Sequence, residues 1–169
     1  MKNQPILASK KKISTGSFNG RIKISYPRLR TILVPLDFSG KSRQALRYAA
    51  PVAQKFGGRI ILLHVIASGA VGPSGSAPLV SDLKLEKDQA MKRLEATAAS
   101  HVPEEVRGTN LVRVGSPHAS ILAIAEKLDV DMIVLTTRGR TGLKRFLLGS
   151  TAEQVVRHAK CPVLSVRRQ

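Results

Sequence analysis

The sequence predicts an α/β fold: a single open parallel sheet of five strands with helices on both faces. Three observations predict it. Five short aliphatic runs alternate with four segments of helical period from Thr31 to Val166. Several runs are apolar at nearly every position, as strands covered on both faces are. Each parallel step also needs a right-handed crossover, which places helices against the sheet.

The elements follow in order. Thr31-Ile-Leu-Val-Pro-Leu36 reads as a buried strand, broken by Asp37-Phe-Ser-Gly40. Lys41–Phe56 reads as a helix with Ala45, Ala49, Val52, Ala53 and Phe56 on one face. Ser39 is its N-cap and Gly57-Gly58 its stop. Arg59–Ile66 is a second strand. A Gly/Ser/Pro-rich loop, Ala67–Val80, leads to a helix over Ser81–His101 with Leu83, Met91, Leu94 and Ala98 inward. Thr109–Val114 is the third strand. Pro117–Leu128 is a helix with the stripe Ile121, Leu122, Ala125 and Leu128. Met132–Leu135 is the fourth strand, Ser150–Ala159 the last helix and Pro162–Val166 the fifth strand.

The chain of 169 residues suits one domain with its own core. Aromatics are only 4% and Trp is absent, so that core is aliphatic. No apolar run approaches the roughly 20 residues of a membrane span. Cys161 is the single cysteine, which excludes an intramolecular disulfide and a Cys-rich zinc site and suits a reducing, cytoplasmic compartment. The formal charge is +17, and residues 1–30 contribute eight cations and no acid. That segment lacks sustained periodicity and reads as a basic disordered arm before a domain over residues 31–169, with a short extended piece at Arg21–Ser25. A solvated tail, an organelle transit peptide and a contact to nucleic acid or an acidic surface are the three readings of the arm.

Parallel sheets bind ligands outside the carboxyl ends of their strands, where strand order reverses. The loops there end at Pro35-Leu36-Asp37, His64-Val65 and Val114-Gly115-Ser116, and run on through Thr136–Thr151. The last contains Gly139, Gly142 and Gly149 with Arg138, Arg140, Lys144 and Arg145, and delivers the chain to a helix starting at Ser150. Glycines admit close backbone approach, and a helix start offers unpaired N–H donors that suit phosphate. A competing reading is purely structural. Ser150-Thr-Ala-Glu153 is also a capping box. Asp37 could cap a turn, and His64 reads as a packed core residue. Gly40-Lys41-Ser42 is only the tail of a P-loop, because Pro35 stands where that motif needs glycine. The histidines show no metal spacing, and no nucleophile–base pair, carboxylate dyad or nucleophile elbow is visible, so no catalytic residue is assigned.

From Thr31 to Arg168 the chain resembles the universal stress protein family, of the ATP-binding type. The resemblance rests on Thr31-Ile-Leu-Val-Pro-Leu-Asp-Phe-Ser39, Ile61-Leu-Leu-His-Val65, Val114-Gly-Ser-Pro117 through Leu122, and the run Gly139–Val166. It implies a sheet of order 3-2-1-4-5 and a homodimer paired along Val163–Val166. It also implies ATP as ligand, with ADP or AMP as alternatives and Mg2+ accompanying the nucleotide. Turnover is expected to be absent or slow, in a stress-survival or regulatory role. The alternative is a dimeric interaction protein of the family's branch that binds no nucleotide. The family pattern of glycine, two residues, glycine, nine residues, glycine and hydroxyl residue matches at Gly139 and Gly149-Ser150. Its first glycine is Thr136 here. A β-branched residue does not readily take positive φ and adds bulk, though its hydroxyl is an alternative contact. The resemblance puts Asp37 and Val65 at the nucleoside end, and Gly139, Arg140, Gly149, Ser150 and Thr151 around ribose and phosphates. Pro35, Leu36, Gly115, Thr136 and Arg138 complete the candidate contacts.

Overall fold

The computed structural model describes residues 13–18, 22–27, 29–67, 80–137 and 149–167. Seven strands and four α-helices occur among them: β1 (Ile13–Phe18), β2 (Ile22–Pro27), β3 (Thr31–Pro35), α1 (Leu46–Phe56), β4 (Arg59–Ala67), α2 (Val80–His101), β5 (Arg107–Gly115), α3 (Pro117–Lys127), β6 (Met132–Thr136), α4 (Ser150–His158) and β7 (Val163–Val166). β3 to β7 form one parallel sheet of order β5-β4-β3-β6-β7. Counted from Thr31 this is the order 3-2-1-4-5. From β3 the chain steps outward through β4 to β5, then returns to the other side of β3 as β6 and β7.

That reversal decides which face each helix covers. Right-handed crossovers running in opposite directions along a sheet lie on opposite faces. Successive strand residues point to opposite faces, so each strand feeds both layers. Ile32, Val34, Leu36, Ile60, Leu62 and Val134 pack with Ala45, Leu46, Ala49, Ala50 and Ala53 on the α1 side and with Leu94 and Ala98 of α2. Leu33, Ile61, Leu63, Ile133 and Leu135 pack on the other face with Ile121, Ile124 and Ala125 of α3 and Ala152 and Val155 of α4. Small alanines on α1 let that helix lie close to the central strands.

Several expectations shift in detail. The first helix begins as a 3-10 turn, Ser42–Ala45, and turns α-helical at Leu46. Leu46 and Ala50 join its buried face, whereas Phe56 is left 45% exposed. On α3, Ile124 joins the predicted Ile121 and Ala125 in the core, while Leu128, the residue after the helix, is exposed. Gly57 ends α1 in the left-handed conformation, with Gly58 N–H donating to the Ala53 carbonyl at 2.8 Å.

The arm also differs. Where the sequence reads as disordered with a short extended piece, β1 and β2 pair antiparallel from Ile13↔Pro27 to Phe18↔Ile22, as a separate two-stranded sheet. β-branched residues recur through both segments (Ile13, Thr15, Ile22, Ile24), which favours extended backbone. The sequence between them carries Asn19-Gly20, residue types favoured in turns, which a search for long periodicity passes over. The arm joins the sheet at a fixed point. Asp131, only 6% exposed, accepts hydrogen bonds from the N–H groups of Arg30 (2.8 Å) and Thr31 (2.9 Å) through Oδ2.

Candidate functional site

The strand order reverses between β3 and β6, and their carboxyl ends define the place to look. The β3–β6 ladder pairs Ile32 with Met132 and Leu33 with Ile133. Two residues later comes Pro35, which has no N–H to give to a neighbour. Toward β4 the pairing continues, through Pro35↔Leu63 and a hydrogen bond from Leu36 N–H to the Leu63 carbonyl at 2.8 Å. β3 therefore stays with β4 while its tie to β6 ends. That is the local geometry from which a crevice at a switch point opens.

On the β3 side the chain makes a tight elbow at Leu36–Ser39. Asp37 is half-buried, and its Oδ1 accepts the Ser39 N–H at 2.9 Å. Ser39 caps the turn that follows: its Oγ accepts the Ser42 N–H at 3.0 Å, and Ser42 Oγ donates to the Ser39 carbonyl at 3.0 Å. Between them Phe38 has φ 61°. A bulky non-glycine residue in the left-handed region is strained by ~1 kcal/mol or more and persists only where its surroundings hold it. Three contacts do so. The Phe38 ring lies 4.1 Å from the His64 ring, centroid to centroid. The Arg93 guanidinium carbon of α2 stands 4.0 Å from the Phe38 centroid, and Arg43 Nη1 donates to the Phe38 carbonyl at 3.4 Å.

His64 also holds the elbow from below. Its Nδ1 is 2.7 Å from the Leu36 carbonyl, and a carbonyl only accepts, so Nδ1 carries the proton. Burial lowers the imidazole below its ordinary value of 6.5. The Leu36 bond works upward, Arg93 downward, and Asp37 and Glu86 upward. Val65 follows on β4, half-buried against the α3 side of the sheet.

On the β6 side, Thr136 is the last strand residue and pairs with Val166 of β7. Among the described residues the only non-glycines at positive φ are Phe38 and Asp129. Thr136 thus occupies ordinary strand backbone, and its position makes no conformational demand for glycine. Thr137 N–H donates to the Val166 carbonyl at 3.2 Å, and the Thr137 carbonyl accepts the Gly149 N–H at 2.8 Å. That second bond fastens the start of α4 to the end of β6. A Cβ on Gly149 would lie 3.3 Å from the Thr137 oxygen, a tight approach that glycine avoids.

The capping box expected at Ser150–Glu153 is not formed. Gly149, not Ser150, is the N-cap, and its carbonyl accepts the Glu153 N–H at 2.9 Å. The Glu153 carboxylate turns outward to Arg157 at 3.1 Å. The N–H groups of Ser150, Thr151 and Ala152 precede the first intrahelical bond and lack helical partners. Ser150 is exposed and Thr151 half-buried. The arrangement can receive an anion at the helix start and a hydrogen-bonding group at Asp37, one strand away.

Gly115 ends β5, at the edge of the sheet and two strands from β3, with φ 147°, a region that favours glycine. Beside it Ser116 Oγ lies 3.1 Å from His118 Nδ1, a local contact on the exposed start of α3 that the sequence did not suggest. Arg138, Gly139 and Arg140, and the loop after Ala67, lie outside the described residues. Phe38, Arg43 and Arg93 were missed by sequence reading. Arg93 is separated from Phe38 by more than fifty residues, and no local pattern announces the contact. Among the described residues there is no cluster of three or more metal-ligating side chains, and no helix is long and apolar enough to cross a membrane.

Comparison with known proteins adds an independent line. Residues 28–167 match the model of the universal stress protein family. The universal stress protein MJ0531 of Methanocaldococcus jannaschii is 37% identical over 145 residues, covering 82% of this chain and 82% of the relative. The solved structure of MJ0577 from the same organism superposes with a TM-score of 0.71 at 29% identity, covering 84% of this chain and 98% of that one. A universal stress protein solved in complex with cAMP shares the fold at a TM-score of 0.55 and 21% identity, covering 83% of this chain and 98% of that one.

Proposed function

Taking as premise that the chain belongs to the universal stress protein family, we propose that it is a nucleotide-binding member whose ligand is an adenine nucleotide. ATP with Mg2+ is the first candidate, and ADP or AMP the alternatives. One observation carries the reading: the Gly149 N–H bond to the Thr137 carbonyl brings the start of α4 to the end of β6, beside the Asp37 elbow of β3. The residues present fit such a ligand. Three N–H groups without intrahelical partners and the Ser150 and Thr151 hydroxyls suit phosphate oxygens. The Asp37 carboxylate suits a donor on the nucleoside. Pro35, Leu36 and Val65 supply the strand-end backbone and apolar contact, and Arg138, Gly139 and Arg140 follow Thr137 in the chain. A protein of this fold is solved with cAMP, which is consistent with an adenine ligand. We assign no catalytic role to these residues and propose a regulatory or stress-survival role in the cytoplasm, with turnover at most slow.

The test is direct. The full chain is purified without added nucleotide and denatured, and released small molecules are identified by mass spectrometry. The chain is then titrated with Mg·ATP. The same titration on Gly149→Leu is expected to show affinity lower by more than about 100-fold, because the new side chain crowds both Thr137 and the helix start. Unchanged affinity in that variant would remove the site from the helix start.

A second reading rests on the sheet edge. β7 is the last strand in order, and Leu164 on it and Val156 on α4 are exposed apolar residues. An open edge of this kind pairs readily with another chain. We propose a homodimer through Val163–Val166, which serves either a nucleotide-binding protein or an interaction dimer without nucleotide. Absence of bound nucleotide, together with no response to Mg·ATP, would select the interaction dimer.

A further inference from the structure

We propose that the stack of His64, Phe38 and Arg93 is a positioning device for the nucleotide site, in which α2 holds the Asp37 carboxylate in place through the Phe38 ring. The proposal rests on the nucleotide reading above for its consequence, and on the geometry of the elbow for its substance.

Phe38 is the point of leverage. Its backbone is in the left-handed region, which a bulky side chain leaves unless it is held. The next N–H along the chain, that of Ser39, is the donor to Asp37 Oδ1. Any relaxation of the Phe38 backbone therefore turns that N–H away from Asp37. The ring is gripped by two elements that come from different parts of the chain: His64 of β4 at 4.1 Å and Arg93 of α2 at 4.0 Å. The same imidazole bonds the Leu36 carbonyl at 2.7 Å, on the other side of Asp37. Asp37 thus sits between two residues, Leu36 and Phe38, that are both tied to His64. The charged groups facing the imidazole are Arg93 and Glu86 of α2 and Asp37 itself.

Arg93 makes the proposal separable from simple core packing. Its side chain lies on an exposed part of α2, whereas Ala90 and Leu94 beside it are buried in the core. Removing its charge takes away a cation over an aromatic face without opening a cavity. A structural contact of this kind would leave the ligand site unmoved; a positioning contact would not.

The experiment compares the full chain with Arg93→Gln, Arg93→Lys and Phe38→Gly. Two readouts are taken: Mg·ATP affinity by calorimetry, and hydrogen exchange of the Ser39 amide by NMR, with the amides of Leu33 and Val34 as internal reference. Arg93→Gln is expected to weaken Mg·ATP by about three-fold, the scale of an exposed cation–π contact, with the urea midpoint lowered by no more than the loss of that one contact. Arg93→Lys, which keeps a cation, is expected to restore most of the affinity. Phe38→Gly removes the ring and relieves the backbone, and is expected to lose the most affinity. In Arg93→Gln the Ser39 amide is expected to exchange faster while Leu33 and Val34 do not change. The two readouts separate the two ideas. If the unsubstituted chain fails to bind Mg·ATP, the nucleotide reading fails, and Ser39 exchange alone decides the stack. Equal Ser39 exchange in Arg93→Gln and the unsubstituted chain, or equal affinity where binding occurs, overturns the proposal.

Discussion

Two aspartates stand at opposite ends of the central sheet and do different work. Asp131 lies where β3 begins. It is buried and gathers two backbone N–H groups, those of Arg30 and Thr31, so it clamps the start of the strand. Asp37 lies just past the other end of β3. It is half-buried, holds the Ser39 N–H, and sits in an elbow with strained backbone at its next residue. The residue type is the same and both carboxylates accept backbone hydrogen bonds. Burial and position in the sheet separate them. The aspartate at the amino end of the strand ties the fold together, and the proposed nucleotide site puts the one past the carboxyl end beside the ligand.

Substitutions can break that comparison. The largest effect is expected for Asp131→Ala, which leaves the N–H groups of Arg30 and Thr31, both in part-buried hydrogen bonds, without their side-chain acceptor. It should lower stability by ~2 kcal/mol, read from urea unfolding, with Mg·ATP affinity of the folded fraction unchanged. A loss below ~1 kcal/mol would mean that the clamp is incidental. Asp37→Asn should do the reverse. Affinity for Mg·ATP falls by about ten-fold while the urea midpoint moves little, since one turn bond to Ser39 can be kept by the amide oxygen. If stability fell as far as in Asp131→Ala, the two carboxylates would be equivalent and the contrast wrong.

Smaller effects sharpen the picture at the neighbouring strands. Thr136→Gly restores the family's glycine at a position that the structure shows in strand conformation. It should cost ~0.5 kcal/mol of stability or less, because glycine at a strand's last residue mainly adds freedom to the unfolded chain, and leave Mg·ATP affinity within about two-fold. A large gain in affinity would show that the threonine side chain blocks the ligand. The smallest effect concerns pH. Burial holds His64 below 6.5 in the folded chain, so the unfolded chain takes up the proton first on acidification. Stability contributed by neutral His64 is therefore complete above 6.5. It declines as pH falls below 6.5, until the folded form is protonated too. Urea midpoints measured from pH 8 to pH 5 should slope downward below 6.5 in the unsubstituted chain and less so in His64→Phe. An identical slope would assign the pH response to other groups.

Much of this architecture was legible in the residues. Apolar runs such as Ile60–Leu63 and the alanine face of α1 announced covered strands and a close-packed helix. Element ends were legible where glycine punctuates them, Gly57 after α1 and Gly115 at the end of β5. What escaped was of two kinds. Local backbone choices were missed, such as Gly149 rather than Ser150 as N-cap, and the pairing of β1 with β2. Both turn on hydrogen bonds that composition does not rank. Long-range contacts were missed as well. Nothing in Asp37-Phe-Ser39 shows that Phe38 takes positive φ, nor that Arg93 of a distant helix lies over its ring. The candidate site was legible as a set of loops, while its inner order needed the fold.

The measurement closest to the central claim is a titration of the full chain with Mg·ATP followed by amide chemical shifts. Binding at the β3–β6 switch point should move the amides of Asp37, Ser39, Ser150 and Thr151 together, with those at the amino end, Arg30 and Thr31, unmoved. Shifts confined to the amino end of the sheet, or none at any concentration of Mg·ATP, would contradict the account.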